Sequence, residues 1–445
     1  MSAAEVHPSL ARRRVAEALR SATEHFPDLS RIDLNVAGLD GRDRGLALAI
    51  HRTVLQRWLT LVHLLNRHLR RPLAETEPAL QAVLLSAAAQ IVFMDRLPPH
   101  AVVNDAVELA RRLVRPGAAG LTNAVLRKLV GDVAAIERES PWTPGRDRLP
   151  VDDGWIRLAG PLLPPVDAVL QHLEVATSVP RQLLQHWREA FGLERMQKLA
   201  LHATRLPPTI VAVEPGFTCD EQCHPHAGEG FVVWDGSREA LIEMLAKHPA
   251  RRVQDPGSAA PVAATAGLDI RCVVDYCAGR GTKTRQVALL HPEARIIATD
   301  IDPARFADLS KAFAGWPNVS VVAPDDLAGA CGNEKADLLM LDVPCSNTAV
   351  FARRPEARYR WSDRNTEELV ALQRRIALNA LPLVGRGYIL YSTCSLDPRE
   401  NHEQVRWLAE HTRGTIVAEQ VTWPEGVGST YQDGSFYALI RIDGR

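Results

Sequence analysis

Two cysteines stand apart from the seven in this 445-residue chain, because each follows a candidate strand in polar company. Cys345 lies in Asp342-Val343-Pro344-Cys345-Ser346, and Cys394 in Ser392-Thr393-Cys394-Ser395. Two thiols and an acid at neighbouring strand ends are equipped for nucleophilic catalysis. A thiolate can form a covalent adduct, an acid can manage a proton, and a second group can help the adduct break down. A thiol with a free pKa near ~8.5 needs an electropositive setting to ionise usefully, and Lys283, Arg353 and Arg354 are candidates for it. Buried cysteines are more often inert packing residues. The other five keep that reading, including Cys277, whose backbone rather than sulfur would face a ligand.

A ligand turn precedes them. VVDYCAGRGTKT (273–284) reads as a strand, a glycine turn and a helix start. Glycines let backbone approach a ligand, and a helix N-terminus offers unpaired N–H groups. Cys277, Ala278, Gly279, Arg280, Gly281, Thr282 and Lys283 are therefore the candidate cofactor segment. A nicotinamide-dinucleotide fingerprint would need glycine at Thr284, and the P-loop spacing is absent. Asp300, Asp325 and Asp342 end the next three strands, and carboxyl ends of parallel strands converge on one crevice. For Asp302 and Asp326 a cap or turn role is expected instead. The loop Cys219-x-x-x-Cys223-His224-x-His226 offers four possible zinc ligands. Their crowding does not follow finger spacing, so a polar loop and no metal are expected.

The elements that must position these groups follow from periodicity. Residues 1–135 read as all helix, as in Arg44–His68 and Glu77–Phe93, and should form a bundle. Residues 136–165, rich in Pro, Gly and Asp, read as a linker. Residues 166–252 mix helices with strands such as Thr209–Val213 and Gly230–Trp234, as a small α/β subdomain. Residues 253–445 alternate strand and helix, with strands at Cys272–Tyr276, Arg295–Thr299, Val319–Ala323, Asp337–Leu341 and Gly387–Tyr391. That rhythm implies a doubly wound, Rossmann-like parallel sheet, with Phe436–Ile442 as a closing edge strand.

A chain of this length needs two or three domains. Its 46% hydrophobic and 24% charged residues suit a globular protein. No long apolar run indicates a membrane span, no signal peptide is legible, and scattered cysteines suit a reducing cytoplasm. Fifty-two Lys plus Arg against 53 Asp plus Glu leave a formal charge of −1, so any nucleic-acid contact must rest on local patches. Arg353, Arg354, Arg358, Arg360 and Arg364, interleaved with Tyr359 and Trp361, suit phosphate pairing and base stacking. A solvated charged face is the alternative.

DVPCSNTAVFARRPEARYRW (342–361) and YSTCSLDPREN (391–401) resemble the two cysteine motifs of the RsmB (Sun/Fmu) family of small-subunit ribosomal RNA 5-methylcytosine methyltransferases. Gln254–Ser258 resembles the opening of its catalytic domain, and DGSFYALIRI (433–442) its last strand. LPPHAVVNDAVELARR (97–112) with AAGLTNAVLRKL (118–129) resembles the NusB-type RNA-binding domain that heads the family. The resemblance implies an all-α NusB-like bundle followed by a Rossmann-like class I methyltransferase using S-adenosylmethionine on small-subunit rRNA. It makes Cys394 the nucleophile, Cys345 the helper in product release and Asp342 the contact to the cytosine. Cys277–Lys283 would wrap the cofactor's methionine moiety, Asp300 its ribose and Asp325 its adenine edge. A monomer is expected. Where the family usually has Ala-Pro-Gly-Gly-Lys, this chain has Gly279-Arg280-Gly281-Thr282-Lys283. That departure leaves open an RNA-binding, antitermination-like protein with a degenerate methyltransferase domain. Transfer RNA or another ribosomal position also remains open as substrate.

Overall fold

The computed structural model describes residues 9–29, 34–138, 140–332 and 335–443, so the first eight residues of the expected helical region lie outside the described residues. The chain divides into two compact units, residues 1–206 with 351–361, and residues 207–350 with 362–445.

The first unit is built on five helices, α1 (Leu10–His25), α2 (Gly41–Asn66), α3 (Pro78–Phe93), α4 (Pro99–Leu113) and α5 (Ala118–Asp132). Asp40 caps α2 by accepting the Asp43 N–H, and proline opens α3 and α4 where a missing N–H costs nothing. Every residue of α3 from Leu80 to Val92 is buried. A helix apolar on all sides must be surrounded, and α1, α2, α4 and α5 all pack against it.

Residues 136–165 are not the expected linker. β1 (Val133–Arg138), β2 (Arg148–Val151) and β3 (Gly154–Leu158) pair antiparallel in the order β1-β3-β2. Leu149, Ile156 and Leu158 are buried, and the Arg148 guanidinium stacks 4.8 Å over Trp155. Most of the Pro and Gly residues lie between and after the strands of this small antiparallel sheet. The subdomain expected over 166–252 is split. Its helices α6 (Val169–Thr177) and α7 (Arg181–His202) join the first unit, where Gln56 Nε2 on α2 donates to the carbonyl of Arg205 at 2.8 Å.

In the second unit β4 (Thr209–Ala212), β5 (Cys223–Pro225), β6 (Phe231–Trp234) and β7 (Arg252–Val253) form an antiparallel sheet, with α8 (Arg238–Lys247) before β7. α9 (Pro256–Ala263) leads into β8 (Cys272–Asp275), α10 (Thr282–Leu290), β9 (Arg295–Ala298), α11 (Pro303–Ala312), β10 (Val319–Val321), α12 (Leu327–Cys331) and β11 (Ala336–Asp342).

The chain then leaves this unit. Residues 351–361, carrying the short α13 (Ala357–Arg360), belong to the first one. Arg358 is fully buried there and donates to the carbonyls of Ala203 at 2.8 Å and Phe351 at 3.0 Å, and to those of Gln56 and Thr177 at 3.4 Å. A guanidinium carries five donors, so one side chain can satisfy several carbonyls. Tyr359 donates to the Leu55 carbonyl at 2.8 Å. Tyr359 and Trp361 are both buried, which withdraws them and Arg358 from the base-stacking and phosphate-pairing patch expected from sequence.

The chain returns through α14 (Asp363–Ala380), β12 (Val384–Thr393), α15 (His402–Thr412), β13 (Thr415–Thr422) and β14 (Ser435–Ile442). The main sheet runs β10-β9-β8-β11-β12-β14-β13. Its first five strands are parallel, and β14 runs antiparallel to both of its neighbours, β12 and β13. Phe436–Ile442 is therefore an interior strand. Six consecutive residues of β14 are buried, as a strand covered on both faces requires, which is why its alternation is poor. The edge is β13, where exposed and half-buried residues alternate from Thr415 to Glu419. Strand order reverses between β8 and β11, and ligands of such sheets bind at that switch point, outside the carboxyl ends.

Candidate active site at the carboxyl ends of the parallel strands

β8 ends at Asp275 and the chain turns through two left-handed glycines, Gly279 (φ 60°) and Gly281 (φ 84°). A Cβ at Gly281 would come within 2.3 Å of Phe313, whereas nothing lies within 4 Å of that position at Gly279. Gly281 closes the turn against the Phe313 ring, and Gly279 leaves room for a ligand. Asp300, at the end of β9, fixes the turn by accepting the Gly279 N–H at 2.9 Å, and Ala278 N–H donates to the Thr299 carbonyl at 2.9 Å. Arg280, the departure from the family turn, points away. Its side chain is 64% exposed and pairs with Asp308 at 3.0 Å. Thr282 is likewise exposed at the start of α10. The Cys277 thiol is pushed well above its usual pKa by burial, then by the charges of Asp275, Asp342 and Asp300, which suits a packing residue. Asp325 does not end a strand; it is exposed on the helical turn 324–326 beyond β10. Asp302 caps α11 by accepting the Arg305 N–H at 2.9 Å, and Asp326 precedes α12 without a side-chain cap bond.

Two residues at this turn escaped sequence reasoning. Asp275 is buried, accepts from Thr284 Oγ1 at 2.7 Å, and has a second oxygen with no partner. Burial pushes its carboxyl up to about 7. Ile301, beside Asp300, is 90% exposed, an apolar surface facing out at the rim. Its position after a strand-end acid was the available signal.

Lys283, from the first turn of α10, donates to Asp342 Oδ2 at 2.8 Å, and Ser392 Oγ donates to Asp342 Oδ1 at 2.7 Å. Asp342 thus joins the glycine turn to the ends of β11 and β12. The loops after these two strands carry the cysteines, and the Cys345 and Cys394 sulfurs are 3.1 Å apart, both half-buried. The Cys345 thiol is pushed well above its usual pKa by its hydrogen bond with Cys394, then by burial and the charges of Cys394 and Glu400. It therefore keeps its proton.

Glu400 was also missed. It is fully buried between the two loops and accepts from Ser346 N–H (2.9 Å), Ser395 Oγ (2.5 Å), Gln373 Nε2 (3.0 Å) and the Ser346 hydroxyl. Ala349 N–H donates to the Cys394 carbonyl at 3.1 Å, and Leu396 N–H to Thr348 Oγ1 at 2.8 Å. The thiols therefore sit on loops cross-linked by hydrogen bonds, as positioned catalytic groups require.

The polar loop of the small sheet converges on no centre. Cys223 Sγ donates to Asp220 at 3.7 Å, His224 Nδ1 is 2.6 Å from Asp235, and His226 Nε2 is 2.8 Å from the Tyr431 carbonyl. Among the described residues no three His, Cys, Asp or Glu are grouped to hold a metal, and no helix is long and apolar enough to cross a membrane.

Residues 267–440 match the family model of 16S rRNA methyltransferase RsmB/F, and residues 9–131 match the NusB family. The ribosomal RNA small subunit methyltransferase B of Erwinia tasmaniensis is 27% identical over 90% of each chain. The protein of the same name from Xanthomonas campestris pv. campestris is 28% identical over 90% of this chain and 89% of its own. The crystal structure of PH0851 shares the fold, with a TM-score of 0.68 at 18% identity, over 98% of this chain and 99% of its own. The chain thus carries a segment similar to the RsmB/F methyltransferases, preceded by a helical segment similar to the NusB family.

Proposed function

We propose that the chain transfers a methyl group from S-adenosylmethionine to carbon 5 of a cytosine in small-subunit ribosomal RNA, with Cys394 as nucleophile. The observation that carries this reading is the 3.1 Å approach of Cys394 to Cys345 beside Asp342.

The turn fits the cofactor. Open space at Gly279, the unpartnered oxygen of Asp275 and the exposed face of Ile301 are what a ligand with a polar tail and an aromatic base would use. Cys277–Lys283 would hold the methionine moiety, Asp300 the ribose and Asp325 the adenine edge. When bound, the cofactor supplies an electrophilic methyl on a sulfonium.

Cytosine carbon 5 is a poor nucleophile until sulfur adds at carbon 6. Cys394 forms that bond, and carbon 5 becomes enamine-like and takes the methyl. Asp342, held by Lys283 and Ser392, binds the ring at nitrogen 3. Carbon 5 then gives its proton to solvent water, the C–H electron pair re-forms the 5,6 double bond, and the carbon–sulfur bond breaks, Cys394 leaving with its electron pair. Cys345, which keeps its proton and lies next to the departing sulfur, returns a proton to it. The helical unit is assigned to RNA binding, and a base in a loop is the expected target because it can be splayed out of its stack. The degenerate-domain alternative loses its motive, since Arg280 and Thr282 leave the turn open.

RNA carrying 5-fluorocytidine tests the covalent step. Fluorine cannot leave carbon 5 as the proton does, so an RNA adduct mapped to Cys394 is expected. Trapping at Cys345, or turnover without an adduct, would contradict the assignment.

A further inference from the structure

Asn347 sits between the two thiols. Its φ of 61° places it in the left-handed region, which Asn tolerates but Gly adopts without strain. The backbone alone therefore gives no reason for an amide there. Its neighbours are fixed, Ser346 by Glu400 and Thr348 by the Leu396 N–H, so the side chain is aimed rather than free at a loop tip. Nδ2 donates to the Cys345 carbonyl at 2.9 Å, and Cys394 Sγ donates to Oδ1 at 3.2 Å. The two bonds determine each other. A carbonyl only accepts, so Nδ2 must face Cys345, which turns Oδ1 towards Cys394.

We propose that Asn347 is the positioning residue of the nucleophile, fixing through one hydrogen bond the rotamer of Cys394 and the direction of its proton. The inference rests on the reading of Cys394 as nucleophile.

Asn347→Gly deletes the amide on a backbone that glycine prefers. In the full chain the thermal midpoint is expected to hold or rise. The KM values for S-adenosylmethionine and RNA should stay within about twofold, while kcat falls about fivefold or more, as for one lost hydrogen bond. A second readout needs no RNA. Iodoacetamide labelling of Cys394, normalised to Cys219 and read by peptide mass spectrometry, should accelerate about threefold or more once the thiol is released. Unchanged kcat with unchanged labelling overturns the proposal, and so does a rise in KM at constant kcat. A Cys394→Ala variant that still methylates at the wild-type rate would sink the nucleophile assignment itself. In that case the labelling of Cys394 would still report whether Asn347 holds the thiol.

Discussion

Lys283 Nζ stands 2.8 Å from Asp342 Oδ2, and this ion pair ties the cofactor turn to the strand end that carries the Cys345 loop. Burial alone would lower the lysine's pKa, but the charge and hydrogen bond of Asp342 outweigh it and leave it raised. Lys283→Met leaves the carboxylate without its cation. The expected loss is about 1–3 kcal/mol of unfolding free energy in urea, discounted because Asp342 is one-third exposed. Methyl transfer should fall at least about tenfold, since Asp342 is no longer held. A variant with wild-type rates would remove Lys283 from the site's framework.

Asp275 gives the fold a pH dependence. Its carboxyl is raised from 3.8 to about 7, chiefly by burial. In the unfolded chain it ionises near 3.8, while the folded chain holds its proton up to about 7. Its stabilising effect is therefore complete below the unfolded value and is lost as pH rises to about 7. Relative to Asp275→Asn, the wild type should lose thermal stability over that window and change little above it. Parallel melting profiles for the two proteins would contradict the assignment.

Glu400 should discriminate sharply between two substitutions. Glu400→Ala strands the Ser346 N–H and the Gln373 amide in a buried space, at about 1–3 kcal/mol for each unsatisfied donor. Glu400→Gln can keep its oxygen towards those donors and present its amide to the Ser346 and Ser395 hydroxyls, which can rotate. Thermal melts should rank Gln close to wild type and Ala well below, with kcat following the same order.

Arg358 should behave as a core residue. Arg358→Met leaves four carbonyls without their donor and is expected to cost a few kcal/mol, on the order of 2–4. Part of that is offset, because burial and then the Arg358 charge hold Arg57 down to about 9, and the repulsion disappears. Limited proteolysis should show new cleavage within 350–362. Unchanged resistance would contradict the anchoring role.

What was legible in the sequence follows from where chemistry meets strand ends. Asp342, Cys345 and Cys394 could be placed at one rim because parallel strands deliver their following loops to one crevice, and the glycine turn declared itself by spacing. Residues 351–361 misled because four arginines in a short stretch read as a charged surface, and nothing local says that the Arg358 guanidinium will donate to carbonyls far away in sequence. β1 to β3 were hidden by Pro and Gly residues that serve turns rather than a spacer. Glu400 and Asn347 were invisible as functional groups, since each bridges to the other cysteine loop, Glu400 to Ser346 and Asn347 to Cys394, across more than 40 residues of sequence. Asp275 read as the end of an apolar strand, and only its depth gives it a perturbed proton.

Cytosine-5 methylation through Cys394 is tested most directly by one measurement. The purified chain is incubated with methyl-labelled S-adenosylmethionine and unmodified small-subunit ribosomal RNA, and the labelled nucleoside is identified after digestion. The expected product is 5-methylcytidine, formed by the wild type and lost in Cys394→Ala while calorimetry still shows cofactor binding. Label in any other nucleoside, or undiminished methylation by Cys394→Ala, would contradict it.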